Sequence, residues 1–231
     1  MRGSSISILI LLALLILVFI GLGRLADIAA DHFSKHLQVG VSIDALTPHL
    51  SRIVVREFEM GNPSGYSLPK AFEAKTITIH APLTAYIKDD IVIEEIDLDT
   101  ISLGLEFDST SGARGNWTVL MENLKSSNVD GPSPRTILIK KAVFTNIQAQ
   151  LLFRKGGGAM RTLPTIDRIE LTNISTKGQF PVDQLTASVL GEMVKAVFAE
   201  YQLNNMLSEI FIKPPEKAVE TLTKPFEKIF Q

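Results

Sequence analysis

The chain has 231 residues, enough for one domain with appendages. Hydrophobic residues make up 45% and charged residues 21%, and net charge is −2. Arg2 and Arg24 are the only charges up to residue 24, so the remainder is more acidic than the whole. This excludes a nucleic-acid binder that works by bulk positive charge. Cysteine is absent, which excludes disulfides, cysteine nucleophiles and thiolate metal sites.

Residues 3–23 carry no charge and are nearly all aliphatic. At about 1.5 Å per residue they reach roughly 31 Å, the thickness of a hydrocarbon core. The run is longer than the apolar region of a cleaved signal peptide, and only weak cleavage sites follow it. The expectation is an uncleaved signal anchor over 1–24, with the bulk domain outside the membrane, in the periplasm of a Gram-negative cell. Residues 25–38 then read as a juxtamembrane helix. Leu25, Ile28, Ala29, His32, Phe33, His36 and Leu37 recur at three- and four-residue spacing.

From Val39 the period changes to two. Val39, Val41, Ile43 and Ala45 alternate with polar or glycine neighbours, which predicts a half-buried strand. Ile53 and Val55 begin a second strand, and Phe58 and Met60 continue it out of phase, so a bulge is expected near Glu57. Asn62-Pro63-Ser64-Gly65 is a turn. A third strand covers Ala74 to His80, followed by a short connector over 82–90. Ile91 and Ile93 share one phase, Ile96 and Leu98 the other, and Ile101, Leu103, Leu105 and Phe107 return to the first. This is either two strands or one long strand with bulges. Residues 108–116 read as a loop, Trp117 to Leu124 as a short helix, and 125–135 as a polar linker and internal boundary.

The cleanest alternation runs from 137 to 153. Ile137, Ile139, Val143, Ile147, Ala149, Leu151 and Phe153 take the odd positions, broken only by Lys141 and Thr145. Two strands meeting near Thr145-Asn146, or one long bent strand, are expected. Residues 154–159 form a loop, and Ile166 to Ile174 a last strand. Over 181–231 the period is helical: Leu185, Val189, Met193, Val197 and Tyr201 form a stripe, with Asp183 as N-cap. Pro214-Pro215 ends it, and residues 216–230 make a final amphipathic helix. The fold class is α+β with a mainly antiparallel, curved open sheet over 39–180. The helical tail either crosses the open sheet face or contacts a membrane or partner helix.

Few groupings suggest chemistry. His32 and His36 share a helix face without a third zinc ligand. Glu95, Asp97 and Asp99 share one face of a strand, as on a solvated sheet. Residues 89–108 hold eight acidic and no basic residues, whereas 135–168 hold seven basic and one acidic. Either neighbouring strands pair these charges, or a basic rim meets anionic lipid headgroups. No nucleophile–base pair is evident, and no cofactor or metal is expected; the reading is non-enzymatic.

The order of these features resembles the AsmA family and its DUF748-like relatives. An anchor and a strand pair lead into Asn62, Pro63, Gly65 and Tyr66; later a glycine-containing loop leads into Asn116 and Trp117. The likeness covers residues 6–124, and the helical tail does not share it. It implies an inner-membrane protein with a periplasmic β-domain, involved in envelope lipid transport or outer-membrane biogenesis. About 80 residues of strand do not span a periplasm, so an accessory subunit, a self-assembling module or a local lipid-binding protein is implied. Ile101, Leu103, Leu105, Ile137, Ile139, Val143, Ile147, Leu151 and Phe153 are the candidates to line an acyl-chain groove. The expected partners are the membrane, phospholipid and an envelope protein or second copy. The alternative is a structural adaptor of an inner-membrane complex.

Overall fold

The computed structural model describes residues 23–109, 114–126, 136–155, 160–175 and 182–201. The expected anchor up to residue 22, the 125–135 linker save its first two residues, and the chain from 202 onward lie outside the described residues. Among the described residues, no helix is long and apolar enough to cross a membrane.

The fold is α+β, built on one open, eight-stranded sheet. Helix α1 (Leu25–Leu37) precedes strands β1 (Val41–Pro48), β2 (Arg52–Gly61) and β3 (Lys70–His80). A 3-10 turn (Leu83–Ile87) leads to β4 (Asp90–Ile93) and β5 (Glu95–Ser109). Helix α2 (Asn116–Ser126), β6 (Thr136–Lys155), β7 (Arg161–Thr162), β8 (Ile166–Ser175) and helix α3 (Val182–Glu200) complete the order. Strands β1, β2, β3 and β5 are antiparallel neighbours. β6 runs parallel to β4 and β5 on one side and antiparallel to β7 and β8 on the other. β4 and β5 therefore share one lane, as do β7 and β8, so the eight strands fill six lanes. The two β-rich blocks of the sequence form a single sheet, because β6 pairs with both.

α1 ends where Gln38 takes a left-handed conformation, φ 55°, which turns the chain back onto the sheet. The Val41 N–H then donates to Ser34 Oγ at 2.9 Å. Ala26 and Ala30 of α1 pack with Ile43 and Val55. α1 thus runs alongside β1 in the opposite direction. α2 packs against both α1 and α3, and α3 lies on β8 and β6. The three helices cover one face of the sheet, with Trp117, Leu120 and Leu124 of α2 and Met193, Val197 and Phe198 of α3 fully buried. The first helical stretch after residue 181 thus completes the core.

The register arranges the apolar residues in rows across the lanes. One row is Ile43, Phe58, Ala74, Ile101, Ile147 and Ile166. The next is Leu46, Val55, Ile77, Leu98, Phe144 and Ile169. A third is Pro48, Ile53, Ile79, Ile96, Ala142 and Leu171. Between the first two rows every lane advances by three residues instead of two. The register skips Asp44, Glu57, Lys75, Thr100, Asn146 and Asp167 at that line, and Glu57, Thr100 and Asn146 have φ of 48°, 56° and 52°. An extra residue keeps the apolar set on one face, where a plain strand would turn it outward. A second such line crosses Glu94, Lys140 and Asn173, and Asn173 has φ 57°.

These lines explain where the simple alternation fails. β2 carries the slip at Glu57 that its pattern predicts. β6 is one strand of 20 residues, with Lys140 and Asn146 as its irregular points. Ala142 and Phe144, not Lys141, Val143 and Thr145, hold the apolar face between the two lines. In β1, Leu46 replaces Ala45 for the same reason. β5 extends to Ser109, past the expected start of the loop, and α3 starts at Val182, so Asp183 lies within the helix.

Candidate functional site

Eight of the nine groove candidates occupy the best-covered part of the sheet. Ile101, Leu103, Leu105, Ile137, Ile139, Ile147 and Leu151 are buried within the main core, and Phe153 is half-buried against it. Phe153 stacks on Phe107 at 5.9 Å, and Phe107 meets Phe198 of α3 edge-on at 5.8 Å. Val143 is buried but stands between the register positions of Ala142 and Phe144, on the other sheet face. Strict alternation misassigns Val143 because it ignores the two lines of slipped register. Around these residues the helices form a packed core.

Beyond the first slipped line the apolar rows continue but their cover thins. Val55, Leu98, Phe144 and Ala142 in these rows stay buried, whereas Leu46, Ile53, Ile77, Ile79, Ile96, Ile169 and Leu171 are half-buried, the first three of them against α1. Sequence reading missed this surface. Its signal is the three-residue step, which recurs at the same row in every lane and becomes visible only once the lanes are aligned.

The two short motifs meet. Asn116 Nδ2 donates to Asn62 Oδ1 at 2.7 Å and to Gly104 O at 2.8 Å. The Asn116 Oδ1 accepts from Glu106 N at 3.0 Å, and Trp117 Nε1 donates to Gly104 O at 3.0 Å. Asn62 Nδ2 donates to Leu68 O at 2.5 Å. The Glu106 carboxylate is fully buried and accepts from the N–H groups of Ser67 (2.9 and 2.7 Å) and Leu68 (2.8 Å). Arg154 Nε stands 3.8 Å from the same carboxylate and its guanidinium lies over the Tyr66 ring at 5.5 Å. Burial, aided by the Asp108 charge, pushes the Tyr66 hydroxyl pKa up. A side chain at Gly104 would collide with Lys70 O, so only glycine lets β3 and β5 approach there. The side-chain amides of Asn62 and Asn116, the Trp117 indole N–H and the Glu106 carboxylate all have chain partners, so the arrangement ties the 62–68 turn to β5 and α2. Asn116-Trp117-Thr118 has the pattern of a glycosylation site, but Asn116 is buried within this arrangement and therefore unsuited as a glycan acceptor.

The opposite-signed segments also meet. Lys140 Nζ lies 2.7 Å from Glu94, Lys141 Nζ 2.9 Å from Glu95, and Arg154 Nη1 3.2 Å from Asp108. The parallel pairing of β6 with β4 and β5 brings these charges together, so cross-strand pairing accounts for them. The Lys141 ammonium draws the Glu95 pKa below the carboxylate norm, and Glu95 raises that of Lys141. His80 Nε2 reaches Asp97 at 2.9 Å. On this polar face a hollow of about 410 Å³ follows the slipped line, lined by residues including Glu57, Lys75, Thr100 and Asn146.

No family model, curated protein or solved structure matches the chain.

Proposed function

We propose that this chain is a membrane-anchored periplasmic module, AsmA-like in kind, that holds phospholipid acyl chains for envelope and outer-membrane biogenesis. The observation that carries the reading is the set of half-buried apolar residues, Ile53, Ile79, Ile96 and Leu171, in the row toward the β1–β2 turn end of the sheet. The row from Pro48 through Ile53, Ile79, Ile96 and the buried Ala142 to Leu171 crosses six lanes. At about 4.8 Å per lane it measures roughly 24 Å, longer than the ~15 Å half-thickness of a hydrocarbon core that one acyl chain fills. The apolar segment 3–23 supports placement beside a lipid source. This reading moves the lipid contact away from the buried candidates around Ile101 and Ile147.

The test is photocrosslinking of the full chain in vesicles of phosphatidylethanolamine and phosphatidylglycerol. A benzoylphenylalanine at Ile79 or Ile96 is expected to yield an adduct with the mass of one phospholipid. The same group at Gln148, exposed on the polar face, provides the background. Equal lipid labelling at all three positions overturns the groove. The adaptor reading is favoured by the sealed core under α2 and by the motif bonds of Asn62, Asn116 and Trp117. Protein adducts at Ile79 in cells, without lipid adducts, would select it.

A further inference from the structure

We propose that the end of the sheet carrying the β1–β2 turn and the 3-10 turn seats in the surface of the bilayer, beside the anchor. The inference rests on the anchor reading above and adds the surface that meets the lipid. Among the described residues, the large hydrophobic side chains left exposed are Ile28, Leu50, Leu83, Ile87 and Met160. Three of them gather at this one end. The Leu83 N–H donates to Leu50 O at 3.1 Å, which joins the two turns, and Ile87 closes the same 3-10 turn. Leu50 is 87% exposed and Ile87 80% exposed, the extremes among those five residues. A folded chain gains nothing from presenting them to water, whereas the headgroup–acyl boundary accepts aliphatic side chains.

The occupant follows from the course of the chain. α1 runs opposite to β1, with its last turn tied to Val41 and its first turns on Ile43 and Val55. Its start therefore lies toward Pro48, the end from which the β1–β2 turn departs. The uncharged segment 3–23 enters the domain at this start. The exposed Ile28 belongs to the same region of α1. An anchor that enters here holds Leu50, Leu83 and Ile87 against the membrane it crosses. The nearby exposed charges, Arg24 and Asp27 at the start of α1 and Arg52, Lys88, Asp89 and Asp90, are of both signs. Apolar insertion rather than attraction to anionic lipid thus drives the contact. Met160 adjoins β7, which pairs with Gln150 and Leu151 at the opposite end of the sheet. Seating of this end directs the Ile53, Ile79 and Ile96 row toward the bilayer.

The lack of native cysteine allows single labelled positions in the full chain. Leu50→Cys, Ile87→Cys and Met160→Cys would each carry an environment-sensitive fluorophore. The labelled chains would be reconstituted in phosphatidylethanolamine and phosphatidylglycerol vesicles and recovered by flotation. Lipids with doxyl-bearing acyl chains are expected to quench the labels at 50 and 87 several-fold more than the label at 160. Aqueous iodide should show the reverse order. Chains that float but show equal lipid quenching at all three positions overturn the seating and leave the anchor standing. Protection of 50 and 87 from iodide without quenching by doxyl lipid also overturns it, in favour of a second copy. Chains that fail to float overturn both readings.

Discussion

Asn116 Nδ2 donates to Asn62 Oδ1 at 2.7 Å across 54 residues of chain. The bond joins the turn after β2 to the first residue of α2. Asn116 also satisfies Glu106 N and Gly104 O, both in the buried segment of β5. Asn116→Ala removes three bonds and strands a buried N–H. The expected loss is about 3 kcal/mol of stability, read by urea unfolding of the full chain. An unchanged midpoint would show that the network is dispensable.

The Glu106 carboxylate faces only donors: the N–H groups of Ser67 and Leu68, and the nearby Arg154. Glu106→Gln presents an amide to those donors on at least one side. Stability should fall by about 2 kcal/mol, since hydrogen bonds to a charged acceptor exceed neutral ones. Hydrogen exchange at Ser67 and Leu68 should accelerate in step. Retained protection at both amides would refute the assignment.

Glu57 is exposed and holds φ 48° in β2. A left-handed conformation costs a side-chain-bearing residue roughly 1 kcal/mol, which glycine avoids. Glycine also loses more entropy on folding, about 0.5–1 kcal/mol. Glu57→Gly is therefore expected to be near neutral, whereas Glu57→Val should destabilise, because a β-branched residue fits this region worst. Thermal melts of the two variants give the comparison, and equal melting points would remove the slipped line as a site of backbone demand.

Asp99 accepts from Thr145 Oγ1 at 2.6 Å, Asn146 Nδ2 at 2.9 Å and Thr100 Oγ1 at 3.0 Å. The Thr145 bond is the leading cause of its lowered pKa. A carboxylate whose folded pKa is depressed stabilises the fold above its unfolded value, and this is lost as pH falls through the folded one. Thr145→Val should raise the Asp99 pKa, measured by carboxyl NMR, and weaken the fall of stability in acid. A pKa that does not move would mean that Asn146 and Thr100 suffice.

Legibility differed from one segment to the next. The period of three to four over 25–38 and the shift to period two from Val39 are local patterns, and they became helix α1, ending at Leu37, and strand β1, starting at Val41. The slip at Glu57 was readable because Val55 and Phe58 are both apolar and three residues apart. The equivalent slips at Asp44, Lys75 and Asp167 are not readable in isolation, since each strand alone offers too few residues. The roles of Asn62 and Asn116 also escaped the pattern. A polar residue in a turn looks the same whether water or a distant amide satisfies it.

The sequence by itself determined the uncharged segment, the strand and helix periods, and the opposed charges of 89–108 and 135–168. These depend on neighbours within a few residues, where backbone geometry alone sets the spacing. Only the tertiary structure decided that β6 lies between β5 and β8, and so which charges pair and which rows align. It also decided that Ile101 and Ile147 are sealed while Ile79 and Ile96 stay partly open. Burial depends on what packs above a residue, and α2 and α3 come from parts of the chain whose local pattern does not name the strands they cover.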